Sequence, residues 1–367
     1  MKIKRFIKKN LVFFIAFLAA AVTAFLVPPD KEYLAYFDFK TLSCLFITLA
    51  VVCALKNIKF FTILARKLVT FAGNLRSLFL SLVIITFISS MIIANDMALI
   101  TFLPLGYFAL SVTKQEKYMA YLFVLQNISA NLGGMLTPFG NPQNLYLYSY
   151  FNIPTTEFCL IMLPAFLLAV ALLSVACLFV KPIKFTISDT FSEKLKKGKT
   201  ALYIALFALS VLIVLRLIPF WVGLILIPVI LFFTDRDALL MVDYGLLGTF
   251  FFFFIFAGNL ARIDAVNSLL SSLLEKDTLL VSILSCQAIS NVPSAILLSR
   301  FTGDYSALLL GVNIGGTGTI IASLASLITF SEFKLLYPER SKSYFYLFTL
   351  INLIFLVIMT VFAKFII

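Results

Sequence analysis

The sequence predicts an all-α polytopic membrane protein made of two inverted-topology repeats, each with a re-entrant helical hairpin and a broken Gly-rich helix. Three observations lead there. The chain of 367 residues is 62% hydrophobic, holds 41 Phe and is 13% charged, whereas soluble domains average about 25% charged residues. Its basic residues fall unevenly between alternate connecting segments. One stretch of the first half also recurs in the second half.

Apolar runs of roughly 17 to 25 residues suffice to cross a bilayer as helices. Nine crossings are expected, at about 10–28, 40–56, 117–148, 156–180, 200–218, 220–234, 243–260, 304–330 and 344–366. The N-terminal "MKIKRFIKKNLVFFIAFLAAAVTAFLV" imitates a signal peptide. Its apolar run exceeds the usual ~7 to 15 residues, so it reads as the first transmembrane helix. "KFFTILARKLV" (59–69) has apolar residues at helical spacing with Arg66 and Lys67 among them, the pattern of an interfacial helix. "RIDAVNSLLSSLLE" (262–275) occupies the same place before the second interruption. Two apolar segments, 75–112 and 278–302, are interrupted by Asn95-Asp96 and by Ser290-Asn291 and are expected to be hairpins.

Charge sets the orientation. With a cytoplasmic N-terminus and hairpins that enter and leave on one side, the cytoplasmic segments collect 22 of the 29 basic residues, including the six lysines between 181 and 199. Positive residues concentrate on the cytoplasmic side of membrane proteins. The net charge of +12 is thereby assigned to orientation and not to nucleic acid. The C-terminus is then external.

Residues 131–145 read "NLGGMLTPFGNPQNL" and residues 313–327 read "NIGGTGTIIASLASL". Side by side, Asn131 meets Asn313, Gly133-Gly134 meet Gly315-Gly316, Thr137 meets Thr319, Asn141 meets Ser323 and Asn144 meets Ser326. The interrupted segments align as "SSMIIAND" (89–96) with "SCQAISNV" (285–292). The first repeat is then 1–180, with its hairpin at about 75–112 and its broken helix at about 117–148. Residues 181–199 form a cytoplasmic linker and 200–218 a connector helix. The second repeat is 219–367, with its hairpin at about 278–302 and its broken helix at about 304–330. A connector that crosses once inverts the second half, as the charge distribution independently requires. Inverted repeats with polar breaks at mid-membrane build secondary transporters. Unpaired backbone groups cost several kcal/mol in lipid, so broken helices survive where they line an enclosed, hydrated cavity.

The candidate ion-binding and substrate-binding residues are Asn95, Asp96, Asn131, Gly133, Gly134, Thr137, Gly140, Asn141, Asn144, Ser290, Asn291, Asn313, Gly315, Gly316, Thr317, Thr319 and Ser323. Each has a plainer structural alternative. Asn95-Asp96 could cap a full helical hairpin whose tip is outside. Asn291-Val292-Pro293 could be a proline kink. The glycine pairs could be close-packing positions between helices, and the 141–144 stretch an external loop. Phe250 to Phe254 read as packing or lipid-facing. The five cysteines (Cys44, Cys53, Cys159, Cys177, Cys286) form no CxxC pair and read as small packing residues.

At the hairpin tips and glycine breaks the chain resembles the ion transporter superfamily. This group comprises divalent anion/sodium symporters, citrate–metal permeases, arsenite efflux permeases and one class of sodium/proton antiporters. The resemblance covers nearly the whole chain. Its symporters carry Ser-Asn-Thr at each tip and Thr-Pro-x-Gly-Thr-Pro-Pro-Asn in the following break. Here the tips read Ala94-Asn95-Asp96 and Ser290-Asn291-Val292, and the breaks "TPFGNPQN" (137–144) and "TIIASLAS" (319–326). The resemblance implies sodium and substrate contacts at the tip asparagines, Asn95 and Asn291; Asp96, Gly140 and Ser290 beside them complete the candidate sodium site, with Asp96 either ionised next to sodium or protonated. The resemblance also implies alternating access of an elevator-like kind, a possible homodimer and a bacterial-type inner membrane. It implies no cofactor beyond sodium or a proton as coupling ion. The threonine contacts to a dicarboxylate are missing, and the Asn-Asp tip is closer to the arsenite and antiporter branches. The expected function is secondary transport of a small ion, an anion before a cation, in a lipid bilayer. A membrane-embedded enzyme is the distant alternative. The chain has no histidine, one buried aspartate by this reading, and no GxxxxGK[ST] nucleotide motif.

Overall fold

The computed structural model describes residues 11–63, 72–185 and 195–367. The basic N-terminal stretch, residues 64–69 of the expected interfacial helix and the middle of the lysine-rich linker lie outside the described residues. All regular structure among the described residues is helical, apart from one isolated bridge between Asn74 and Lys184. The first half holds α1 (Leu11–Leu26), α2 (Phe39–Asn57), α3 (Leu75–Ile93), α4 (Asn95–Val112), α5 (Met119–Gly133), α6 (Pro142–Tyr150) and α7 (Thr155–Leu178). Then come α8 (Lys197–Val214), α9 (Phe220–Thr234), α10 (Arg236–Leu240), α11 (Tyr244–Ala261), α12 (Asp264–Ile289) and α13 (Asn291–Leu298). The chain ends with α14 (Tyr305–Ile314), α15 (Leu324–Leu336) and α16 (Ser341–Ile366).

The scarce acidic residues explain many helix starts. Asp38, Asp235, Asp243 and Asp304 each accept the N–H three residues on, at the heads of α2, α10, α11 and α14. A short side-chain oxygen there satisfies one of the orphan N–H groups of a first turn. Asn74 and Ser77 close a reciprocal capping box on α3. Pro142 occupies the first turn of α6, where its missing N–H costs nothing.

Among the described residues, seven helices are long and apolar enough to cross a membrane. They make this an integral, polytopic membrane protein. They include α2, α7 and α8, and the apolar stretches containing α11 and α16. They also include α3 and α4, 19 and 18 residues long, where hairpin arms were expected. The expected crossing at 220–234 is a helix of 15 residues. The expected interfacial helix at 262–275 is not a separate element: α12 runs on to Ile289 through a single non-helical residue, Asp277 (φ −165°, ψ 84°).

Packing groups the helices. α1 lies against α11, and α2 against α8 and α9. A second group forms around α5, which packs on α3, α4, α15 and α16, while α14 packs on α12 and α13. The groups meet where α11 touches α13 and α2 touches α6. Arg300 donates to the Tyr36 carbonyl across this boundary, at 2.7 Å, and Arg216 donates to the Tyr148 carbonyl.

Candidate functional site

Two breaks with the same local geometry define the site. α3 passes into α4 through Ala94 alone, at φ 64° and ψ 150°. α12 passes into α13 through Ser290 alone, at φ 75° and ψ 158°. That region is essentially reserved for glycine, and a side chain there costs roughly 1 to 3 kcal/mol. Neither residue is glycine. In each case the next residue is an asparagine whose Oδ1 accepts the following backbone N–H, Asp96 at 2.9 Å and Val292 at 3.0 Å. Each asparagine thus caps its own helix N-terminus and keeps its Nδ2 for another partner.

The glycine-rich helices break beside these tips. α5 ends at Gly133-Gly134 and the chain resumes as α6 at Pro142. α14 ends at Ile314, before Gly315-Gly316, and the chain resumes as α15 at Leu324. A Cβ on Gly133 would lie 2.3 Å from the Phe87 carbonyl oxygen and 2.5 Å from Ser90 Oγ. On Gly315 it would lie 2.9 Å from Cys286, the residue aligned with Ser90. Gly133 and Gly315 therefore let each broken helix press against its neighbouring arm. Gly134 and Gly316 face polar groups: a Cβ on Gly316 would lie 3.0 Å from Asn291 Nδ2 and 3.6 Å from Asn131 Oδ1. Gly140 packs against Gly134 and Thr137.

Thr137 donates its hydroxyl to the Met91 carbonyl at 2.6 Å, and Thr319 donates to the Gln287 carbonyl at 3.4 Å. Met91 and Gln287 each stand three residues before a tip residue. The threonines therefore tie broken helix to arm in both halves.

At the centre, asparagines from both halves bond to each other. Asn95 Nδ2 donates to Asn131 Oδ1 at 3.2 Å. Asn141 Nδ2 donates to the Asn131 carbonyl at 3.3 Å and to Asn313 Oδ1 at 3.1 Å. Asn313 Nδ2 donates to Asn144 Oδ1 at 2.6 Å. Asn131 and Asn313 both donate to the carbonyl one turn earlier, of Asn127 and Leu309. All of these asparagine side chains are buried. Two oxygens of the cluster, Asn141 Oδ1 and Gln143 Oε1, are buried with no hydrogen-bond donor, and so is Asp96 Oδ1, next to Asn95 in the chain. Buried polar atoms are normally paired.

Some expected residues have other partners. Ser323 Oγ accepts the Ser326 N–H and so heads α15. Thr317 donates to the Ile314 carbonyl. Ser290 Oγ reaches the Ala322 carbonyl at 3.4 Å. Among the described residues no hydrogen bond joins Asp96 to Gly140, Ser290 or Asn291.

Sequence reasoning missed three side chains. Gln287 Nε2 donates to the Gly315 and Thr317 carbonyls, and its Oε1 accepts the Thr319 N–H. It satisfies the second break as Asn144, on the Gly134, Met135 and Thr137 carbonyls, satisfies the first. Gln143 donates to Asn313 Oδ1 at 3.4 Å. Asn127 bonds Ser326, Asn352 and Thr329, joining α5 to α15 and α16. A polar residue inside an apolar span was the available signal for Asn127. Gln287 aligns with Met91, so comparing the repeats hid it.

The profile of the family described as citrate transporter matches residues 5–303. The chain belongs to the citrate transporter family. The match ends just before α14, so the second broken helix, which has lost its prolines, lies beyond it. Relatives extend the comparison. This transporter is 32% identical over 333 residues, 90% of each chain, to an uncharacterized transporter of Methanocaldococcus jannaschii. It is 29% identical over 322 residues, 83% of each chain, to the inner membrane protein YbiR of Escherichia coli. It is 31% identical over 160 residues, 43% of this chain and 32% of the relative, to a silicon efflux transporter of Oryza sativa.

Proposed function

We propose that this membrane transporter carries a small anion by alternating access, coupled to sodium or protons, around one site shared by two inverted repeats. The observation that carries the reading is the matched pair of strained tips. Both place an asparagine at the start of a helix, beside Asn131 and Gly316. Asn131 lies twelve residues into α5, or about 18 Å along it, within a hydrocarbon core about 30 Å thick. A tip at that depth favours a re-entrant hairpin over a full crossing, although α3 and α4 are long enough to cross. Helix N-termini attract anions, and α4 and α13 begin at the site. The donor-free oxygens of Asn141 and Gln143, which both donate to Asn313, suit a cation, which takes oxygen ligands. The two packing groups support movement of one against the other, α1, α2, α8, α9 and α11 serving as the frame. The relative from Escherichia coli is named an inner membrane protein, and we place this transporter there, with cytoplasmic N-terminus and external C-terminus.

Asp96 is the coupling residue in this reading. Intramembrane carboxylates commonly mark ion or proton pathways, and a fixed negative charge would repel an anion. Asp96 and the rice relative favour a second reading, efflux or sodium/proton antiport on the same scaffold. Purified transporter in proteoliposomes decides between them. Labelled citrate, arsenite and silicic acid are offered under imposed sodium or pH gradients, with ²²Na⁺ and an internal pH dye followed in parallel. Accumulation driven by one gradient, and lost in Asp96→Asn, is expected. Wild-type flux and ion dependence in Asp96→Asn would reduce the carboxylate to a helix cap.

A further inference from the structure

An apolar groove separates α3 from α2 and α8. It encloses about 650 Å³ and is lined by Phe60, Leu80, Ile88, Ile92, Ile204 and Phe207, among others. α3 packs on α4, α5 and α7 but makes no extended contact with α2 or α8. Along α3 the groove runs from Leu80 to Ile92, twelve residues, or about 18 Å. That is the reach of a lipid acyl chain and far more than a solvent-sized gap.

A second cavity of about 560 Å³ adjoins one end of this groove. It is lined by Asn57, Lys59, Lys196, Lys199, Asp235 and Asp237, among others. The two cavities share the chain at 55–63 and the start of α8. Lys196 immediately precedes α8 and Lys199 stands in its first turn, about two turns before Phe207. Asp235 is already engaged, accepting from Asn57, Tyr203 and the Ala238 N–H. Lys199 donates to the Thr234 carbonyl. Among the described residues, Lys196 and Lys199 have no carboxylate partner. This end is the one that the distribution of basic residues assigns to the cytoplasm.

We propose that the two cavities form one binding site for an anionic phospholipid, its phosphate on Lys196 and Lys199 and one acyl chain in the groove between α3, α2 and α8. Three lysines, Lys59, Lys196 and Lys199, line the head against two carboxylates, Asp235 and Asp237, which leaves a net positive charge there, and the lining below it is apolar. Basic pockets between transmembrane helices recognise anionic headgroups in this way. A soluble anion would use the lysines but leave the groove uncovered. The site does not depend on what the transporter carries.

The test is native mass spectrometry of the delipidated transporter, offered phosphatidylglycerol and phosphatidylcholine of identical chains in equal amounts. Phosphatidylglycerol should be retained preferentially. Lys196→Gln with Lys199→Gln should remove about fivefold of that preference per lysine, while the lipid-free melting temperature stays as in the wild type. Ile204→Trp, which fills the groove, should reduce retention of both lipids. Equal retention of the two lipids overturns the proposal, as does an unchanged preference in the lysine variant or unchanged retention in Ile204→Trp. Glycerol 3-phosphate competing as well as the intact lipid would assign the lysines to a soluble anion and also overturn it.

Discussion

Asn95 and Asn291 divide their side chains between two tasks. The oxygen caps a helix N-terminus and the amide nitrogen faces the broken helix of the same half, Asn95 toward Asn131 and Asn291 toward Gly316. An alanine removes both. Loss of one partner at a buried site costs about 1 to 3 kcal/mol, or roughly 5- to 150-fold in affinity. Asn95→Ala and Asn291→Ala should each lower flux in proteoliposomes by that order while inserting normally. Ser210→Ala in α8, whose hydroxyl only returns to the Phe207 carbonyl of its own helix, should change little. Normal flux in either asparagine variant would make its tip structural. These residues were legible in the sequence because asparagine is costly in an apolar run. Asn144 and Gln287, which bind the broken backbone, were not legible in that role. Nothing in a one-dimensional string says which carbonyl a side-chain amide will find.

At the scale of elements, the broken helices depend on glycine for contact. The Cβ absent from Gly133 leaves room for the Phe87 carbonyl, which cannot retreat without moving the backbone of α3. Gly133→Ala should therefore cost about 1 to 3 kcal/mol through overpacking, read as a fall in melting temperature in detergent. Gly198→Ala, with nothing within 4 Å of the new methyl group, is the neutral comparison. The repeated Asn-x-Gly-Gly frame marked where each helix breaks, because both halves repeat it. The lengths of the arms were less legible. Asn95-Asp96 marked the break in the apolar run of 75–112, but not that it would be a single residue, Ala94 at positive φ, between two helices each long enough to cross. Nor did the sequence show that α12 would carry an interfacial stretch straight into an arm, since Asp277 bends the chain without a loop.

Across the whole molecule, the segment after α1 is held to α11 by charge. Arg262 donates to Asp30 at 2.6 Å and to the Tyr36 hydroxyl at 3.1 Å, with Glu32 at 3.3 Å from its Nε. The Arg262 hydrogen bond holds the Asp30 carboxyl below the usual carboxylate range. A depressed carboxyl stabilises the fold above its unfolded pKa of about 3.9, and that contribution is lost as pH falls through the lower folded value. A melting temperature followed down from about pH 5 should drop less steeply in Asp30→Asn than in the wild type. Equal slopes would show that the pair contributes nothing. In the proposed arrangement the two halves are inverted about one site, and equivalent loops test that inversion most directly. Lys114 follows the first tip's descending helix and Gly303 follows the second, both exposed, and a Cβ on Gly303 meets nothing within 4 Å. With the five native cysteines replaced, Lys114→Cys and Gly303→Cys are each labelled with a membrane-impermeant maleimide in sealed vesicles of known orientation. Inverted halves predict labelling from opposite sides, Lys114→Cys from the cytoplasmic face and Gly303→Cys from the external face. Labelling of both from the same side would contradict the inversion.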